Sequence, residues 1–78
     1  MRNVEKAIGV IIAAERAKAG LSQEALGHKA GLHRTYVSQL ERRLKSPTLR
    51  VFLQIATALQ AKPSRLMKVM EEHLSWQN

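Results

Sequence analysis

Val4, Ile8, Ile11 and Ile12 recur at intervals of three and four residues, and the same helical spacing of apolar side chains continues along the chain. No stretch sustains an apolar-polar alternation, and no Asn-Gly or Asp-Gly pair marks a hairpin. The pattern predicts an all-α fold of five helices. The first runs about four turns and ends at Gly20, just after Lys18. Ser22 is a suitable N-cap for a short second helix, with Glu24 in its first turn and Gly31 able to leave helical geometry behind it. A third helix starts near His33 or Arg34 and runs to about Arg43. Two short helices joined at a glycine, over about 22–43, have the outline of a helix-turn-helix.

Ser46 and Pro47 read as the N-cap and first residue of a fourth helix, with Leu49, Phe52, Leu53, Ala56 and Leu59 along one face. Pro63 opens a fifth helix, which carries Leu66, Met67, Met70 and Leu74, and SWQN follows as a polar tail with the only tryptophan. No repeat, low-complexity run or linker divides the chain, so residues 1–78 are expected to form one helix-turn-helix domain. A chain of 78 residues buries a modest core, and pairing with a second copy would enlarge it. Leu66, Met70 and Leu74, together with the end of the fourth helix, are candidates for that dimer surface, although a monomer's own core could absorb them equally well.

The third helix, HRTYVSQLERR, is the most polar and the most informative. At about 100° per residue, Val37 and Leu40 share a seam, and Leu44 is expected between them. The opposite face holds Thr35, Ser38, Gln39 and Arg42, with Arg34 at its N-terminal flank; every one of these can donate a hydrogen bond and none is acidic. A solvated face normally mixes both signs of charge. A face meant for base edges in a DNA major groove must avoid negative charge and supply donors. Glu41 falls close to the buried seam, where a carboxylate needs a partner. Arg16, near the end of the first helix, is expected to supply it as a largely buried ion pair, the alternative being two independent surface charges.

Thirteen Lys and Arg against six Asp and Glu give a formal charge of +7, which favours a polyanionic partner but does not choose among nucleic acid, ribosome and membrane surface. Lys and Arg number 4, 5 and 4 over residues 1–20, 21–45 and 46–78, with two acids in each segment, so the basic excess is largest over 21–45 and does not gather on one amphipathic stretch. The apolar run AIGVIIAA is far shorter than the ~20 residues of a membrane span, and it lacks the small-residue cleavage site of a secretory signal. Together with the absence of cysteine, this predicts a cytoplasmic protein. Catalysis is disfavoured because His28, His33 and His73 match neither a metal-binding helix pair nor a triad. One Tyr, one Phe and one Trp offer little for stacking on RNA bases.

From Ala14 to Met67 the chain resembles the Cro/repressor-like (XRE-type) helix-turn-helix regulators. ERAKAGLSQEALGHKAGL resembles that family's first-helix arginine, second helix and glycine turn, HRTYVSQLER its recognition helix, and SPTLRVFLQIATALQAKPSRLM its fourth helix and the start of its fifth. RTYVS followed by Gln-Leu-Glu-Arg is most like the small restriction-modification controller proteins. The resemblance implies a compact lambda-repressor-like domain in a bacterial regulator, associated with the nucleoid when bound to DNA. It would bind a palindromic operator as a homodimer, meet RNA polymerase there, and need no metal or other cofactor. It also implies base contacts from Arg34, Thr35, Ser38 and Gln39, and a phosphate contact from Gln23 at the start of the second helix. Arg42, Arg43, Lys45 and Ser46 would run along the DNA backbone. Tyr36 would touch a phosphate or pack at the helix edge, and Arg16 and Glu41 occupy the family's internal ion pair. A phage-type repressor is an alternative on the same fold, as is an antitoxin-like protein-binding module, which would need a further toxin-binding segment.

Three positions depart from the family pattern. Arg43 stands where a left-handed turn usually has Gly or Asn, Gln60 replaces a glycine after the fourth helix, and Lys62 replaces a capping hydroxyl. The local backbone or helix end is expected to differ at Arg43 and Gln60, and with Lys62 before it Pro63 is expected to start the fifth helix with a weaker cap.

Overall fold

The computed structural model describes residues 3–74, and the SWQN segment lies outside them. The five helices are α1 (Val4–Lys18), α2 (Gln23–Ala30), α3 (Arg34–Glu41), α4 (Leu49–Ala58) and α5 (Pro63–His73), with no strand among the described residues. The cap residues explain most of the boundaries. Ser22 Oγ accepts a hydrogen bond from Ala25 N at 2.9 Å and starts α2, and Thr48 Oγ1 accepts from Val51 N at 3.1 Å and starts α4. At the head of α3 the cap is an imidazole, His33 Nδ1 accepting from Thr35 N at 3.0 Å.

Every helix contributes to one core. Ile8, Ile11 and Ile12 of α1 meet Leu26 and Ala30 of α2, Val37 and Leu40 of α3, Phe52, Ile55 and Ala56 of α4, and Leu66 and Met70 of α5. α2 packs against both α3 and α4, while α1 packs against α3 and α5. A second tie between α1 and α5 is ionic, with Arg65 Nη2 donating to Glu15 Oε1 at 2.7 Å.

Four expectations need correction. α3 stops at Glu41, so Leu44 leaves the helical phase of Val37 and Leu40 and is 59% exposed. α4 starts two residues later than Ser46-Pro47 suggests, because Thr48 makes the capping bond. Its buried face is Phe52, Ile55 and Ala56, with Leu49 and Leu53 turned outward. Leu66 and Met70 are core residues of the monomer and cannot form a dimer surface; on α5 only Met67, 47% exposed, and the half-buried Leu74 and Val69 keep apolar surface outside that core.

The expected backbone change at Arg43 and Gln60 does not occur. Both adopt left-handed geometry, with φ of 66° and 56°, although neither is glycine. Arg43 N and Leu44 N donate to Leu40 O and Gln39 O at 3.1 and 2.9 Å, so the close of α3 is hydrogen-bonded in this strained form. An L-residue in this region costs ~1 kcal/mol or more relative to glycine. Arg43→Gly should accordingly raise stability by about 1 kcal/mol, seen as a higher denaturant midpoint at unchanged slope. An unchanged or lower midpoint would show that the side chain itself stabilises the fold. At Lys62 the expectation holds: α5 has no side-chain cap and opens directly on Pro63.

Candidate nucleic-acid interface

The polar side of α3 is presented by a scaffold that fixes both ends of the helix. Val37 and Leu40 are fully buried and set its rotation. Its C-terminal end is held by Glu41, whose side chain turns inward and is only 8% exposed. Arg16 meets this carboxylate through two parallel bonds, Nε to Oε2 at 2.6 Å and Nη2 to Oε1 at 3.0 Å, while Nη1 donates to Leu21 O at 2.9 Å. Gln23 Nε2 also donates to Glu41 Oε1, at 3.0 Å. One carboxylate therefore joins α1, the first residue of α2 and the last residue of α3.

Burial works against the charged form of Glu41, but the hydrogen bonds from Arg16 and Gln23 and the charge of Arg16 outweigh it and hold the carboxyl below its ordinary range. Arg16 is correspondingly raised by its bond to Glu41. The only acid on α3 is thus ionised, paired and directed away from the polar side.

On that side, Arg34 and Thr35 are exposed in the first turn, and Ser38 and Gln39 are half-buried one turn further on. Arg42, Arg43, Lys45 and Ser46 are all exposed where the chain leaves α3 for α4. Tyr36 is half-buried at the edge of the core, and Lys45 Nζ stands 5.9 Å from its ring centroid. Gln23 is placed at the N-terminus of α2 as expected, but its side-chain amide is engaged by Glu41. The surface so formed has cations and neutral donors and no uncompensated carboxylate of α3. Among the described residues, no group of three or more His, Cys, Asp or Glu is arranged to hold a metal ion.

Two further structural determinants, Gly27 and Gly9, lie outside the residues that the apolar pattern and the caps point to. A Cβ on Gly27 would lie 2.6 Å from Leu32 O, and one on Gly9 would lie 2.8 Å from Leu40 O. The first lets the turn between α2 and α3 fold back over α2, where Leu32 N donates to Gly27 O at 2.7 Å. The second lets α1 approach the end of α3. A lone glycine inside an otherwise helical pattern is the signal for either.

Residues 12–66 match the helix-turn-helix family, and the chain belongs to this family of DNA-binding transcription regulators. Within it, the chain is similar to restriction-modification controller proteins. It is 40% identical over 47 residues to the control protein C.SmaI of Serratia marcescens, a match covering 60% of this chain and 56% of that protein, so it spans little more than half of that relative's length. It is 37% identical to the controller protein C.AhdI of Aeromonas hydrophila, whose structure superposes with a TM-score of 0.76 over 80% of this chain and 94% of the other. The clp gene regulator ClgR of C. glutamicum shares the fold, with a TM-score of 0.87 over 99% of this chain and 100% of the other at 21% identity. No helix among the described residues is long and apolar enough to cross a membrane.

Proposed function

We propose that this chain is a single-domain restriction-modification controller that binds a palindromic operator as a homodimer and regulates transcription there. The observation that carries the reading is the side of α3 kept free of negative charge by the inward pairing of Glu41 with Arg16. Arg34, Thr35, Ser38 and Gln39 read bases, with Arg34 suited to bidentate pairing with guanine and Gln39 with adenine. Arg42, Arg43, Lys45, Ser46 and the Tyr36 hydroxyl follow the phosphates, and Gln23 adds an amide at the N-terminus of α2. The two α3 helices enter successive major grooves, with half-sites about one helical turn apart. Met67 on α5, Leu74 just after it and Leu59 just after α4 form the dimer surface. The similarity to C.SmaI and C.AhdI supports the controller role, and a regulator so placed would meet RNA polymerase in the bacterial cytoplasm.

Selection of preferred sites from random duplexes tests this reading, and a two-fold-related consensus is the expected result. An asymmetric site, or no preferred site, would overturn it. Arg34→Ala should weaken binding to the selected site by ~1 to 3 kcal/mol and relax preference at one base position, while leaving affinity for random DNA and its salt dependence nearly unchanged. Equal losses on selected and random duplexes would reassign Arg34 to the backbone. ClgR shows that the same fold serves a regulator under another description, so a restriction endonuclease gene beside this one separates the controller from a repressor of another kind.

A further inference from the structure

α4 has a second side that neither the core nor the α3 surface uses. Leu49 and Leu53, one turn apart, are 68% and 42% exposed. With Arg50 and Gln54 they form one wall of an open groove of about 840 Å³, and residues 28–31 at the end of α2 form the other. Gln54 Nε2 donates to Ala30 O at 3.1 Å and holds the two walls together. His28, Lys29 and Arg50 line the groove, and no carboxylate does. None of residues 33–48 takes part.

We propose that this groove docks an acidic amphipathic helix of another protein. A phosphate backbone would satisfy Lys29 and Arg50 but would leave two leucines with nothing to cover them. A neutral apolar segment would cover the leucines and leave the cations unmatched. A helix with apolar residues at i and i+4 and flanking carboxylates satisfies both, since its spacing repeats that of Leu49 and Leu53. The groove runs along α4 from Leu49 to Thr57 and includes none of Leu59, Met67 and Leu74 of the proposed dimer surface, so a DNA-bound dimer would carry two copies of it. The proposal does not depend on the operator sequence or on the controller reading.

The test titrates the isotope-labelled full chain with a synthetic helix bearing leucines at i and i+4 and glutamates beside them, observed by amide chemical shifts. Saturable shifts over residues 28–31 and 49–57, retained when a DNA duplex is bound, are expected. Leu53→Ser and Arg50→Glu should each weaken the complex by about tenfold or more. Arg50→Glu should in turn favour a peptide whose glutamates are replaced by lysines, a readout that survives if Leu53→Ser folds poorly. Equal binding of a scrambled peptide, shifts centred on residues 34–46, or displacement by random duplex would overturn the proposal. So would conversion of a dimer to monomer by Leu53→Ser, which would give the groove to a second copy of this chain.

Discussion

Glu41→Ala is expected to lower the unfolding free energy by about 3 kcal/mol. The carboxylate is the common acceptor for Arg16 and Gln23, and removing it leaves a guanidinium with Leu21 O as its remaining partner. The Arg16 side chain is 20% exposed, so water recovers part of the loss and the value stays toward the low end for a broken buried pair. For a domain of this size the melting temperature should drop by roughly 15 °C. Glu41→Gln, which keeps the shape and one acceptor, should lose less. An unchanged melting temperature in both variants would show that the pair contributes nothing net to stability.

The same residue sets part of the acid sensitivity. Because the folded-state pKa of Glu41 lies below its ordinary 4.5, its contribution is complete above that value and is lost as pH falls through the lower folded-state value. Glu15 is lowered in the same direction, chiefly by its hydrogen bond from Arg65, so the acid limb has two contributors. Glu41→Gln should flatten that limb without abolishing it. An identical pH profile in wild type and Glu41→Gln would contradict the linkage.

The second large effect is expected at Gly27. Gly27→Ala places a methyl group 2.6 Å from Leu32 O, a backbone atom that cannot swing aside as a flexible side chain could. Either α2 and the turn separate, or the turn rebuilds, at a cost of roughly 3 kcal/mol, the upper end for overpacking by one carbon. The turn sets the placement of α3 relative to α2, so affinity for the preferred duplex should fall even where the variant remains folded. Measuring melting and DNA affinity on the same sample separates the two effects. Wild-type values for both would mean that the turn relaxes at no cost.

How legible these features are in the sequence depends on how local they are. Helices α1 to α3 follow from Ser22, Gly31 and the spacing of Ile8, Ile11, Val37 and Leu40, all short-range signals. The facing of Arg16 and Glu41 is readable because a carboxylate near an apolar seam demands a cation, and α1 offers one close to its end. The close of α3 is not readable from periodicity or residue type: the family pattern marks position 43 as a left-handed turn, but an arginine there argues against one, and extending the wheel past it misplaces Leu44. Ser46, Pro47 and Thr48 present competing starts for α4, and only the hydrogen bond to Val51 N decides among them. Helix α4 is apolar on several sides, so periodicity cannot choose Ile55 over Leu53 for burial. Leu66 and Met70 carry the same pattern whether they face a core or a partner. The base-reading and backbone assignments rest on chemistry and family pattern, and the DNA-binding measurements above are what test them.

Arg43 has a consequence for how such a protein can be improved or spoiled. It holds a conformation that glycine adopts more easily, and under the proposed role its charge lies against the phosphate backbone. A library screened for thermal resistance alone would therefore enrich glycine at position 43 and deliver sturdier variants with a weaker grip on DNA. Selection that scored operator occupancy would reverse the preference, making this one position a gauge of which pressure a lineage has experienced.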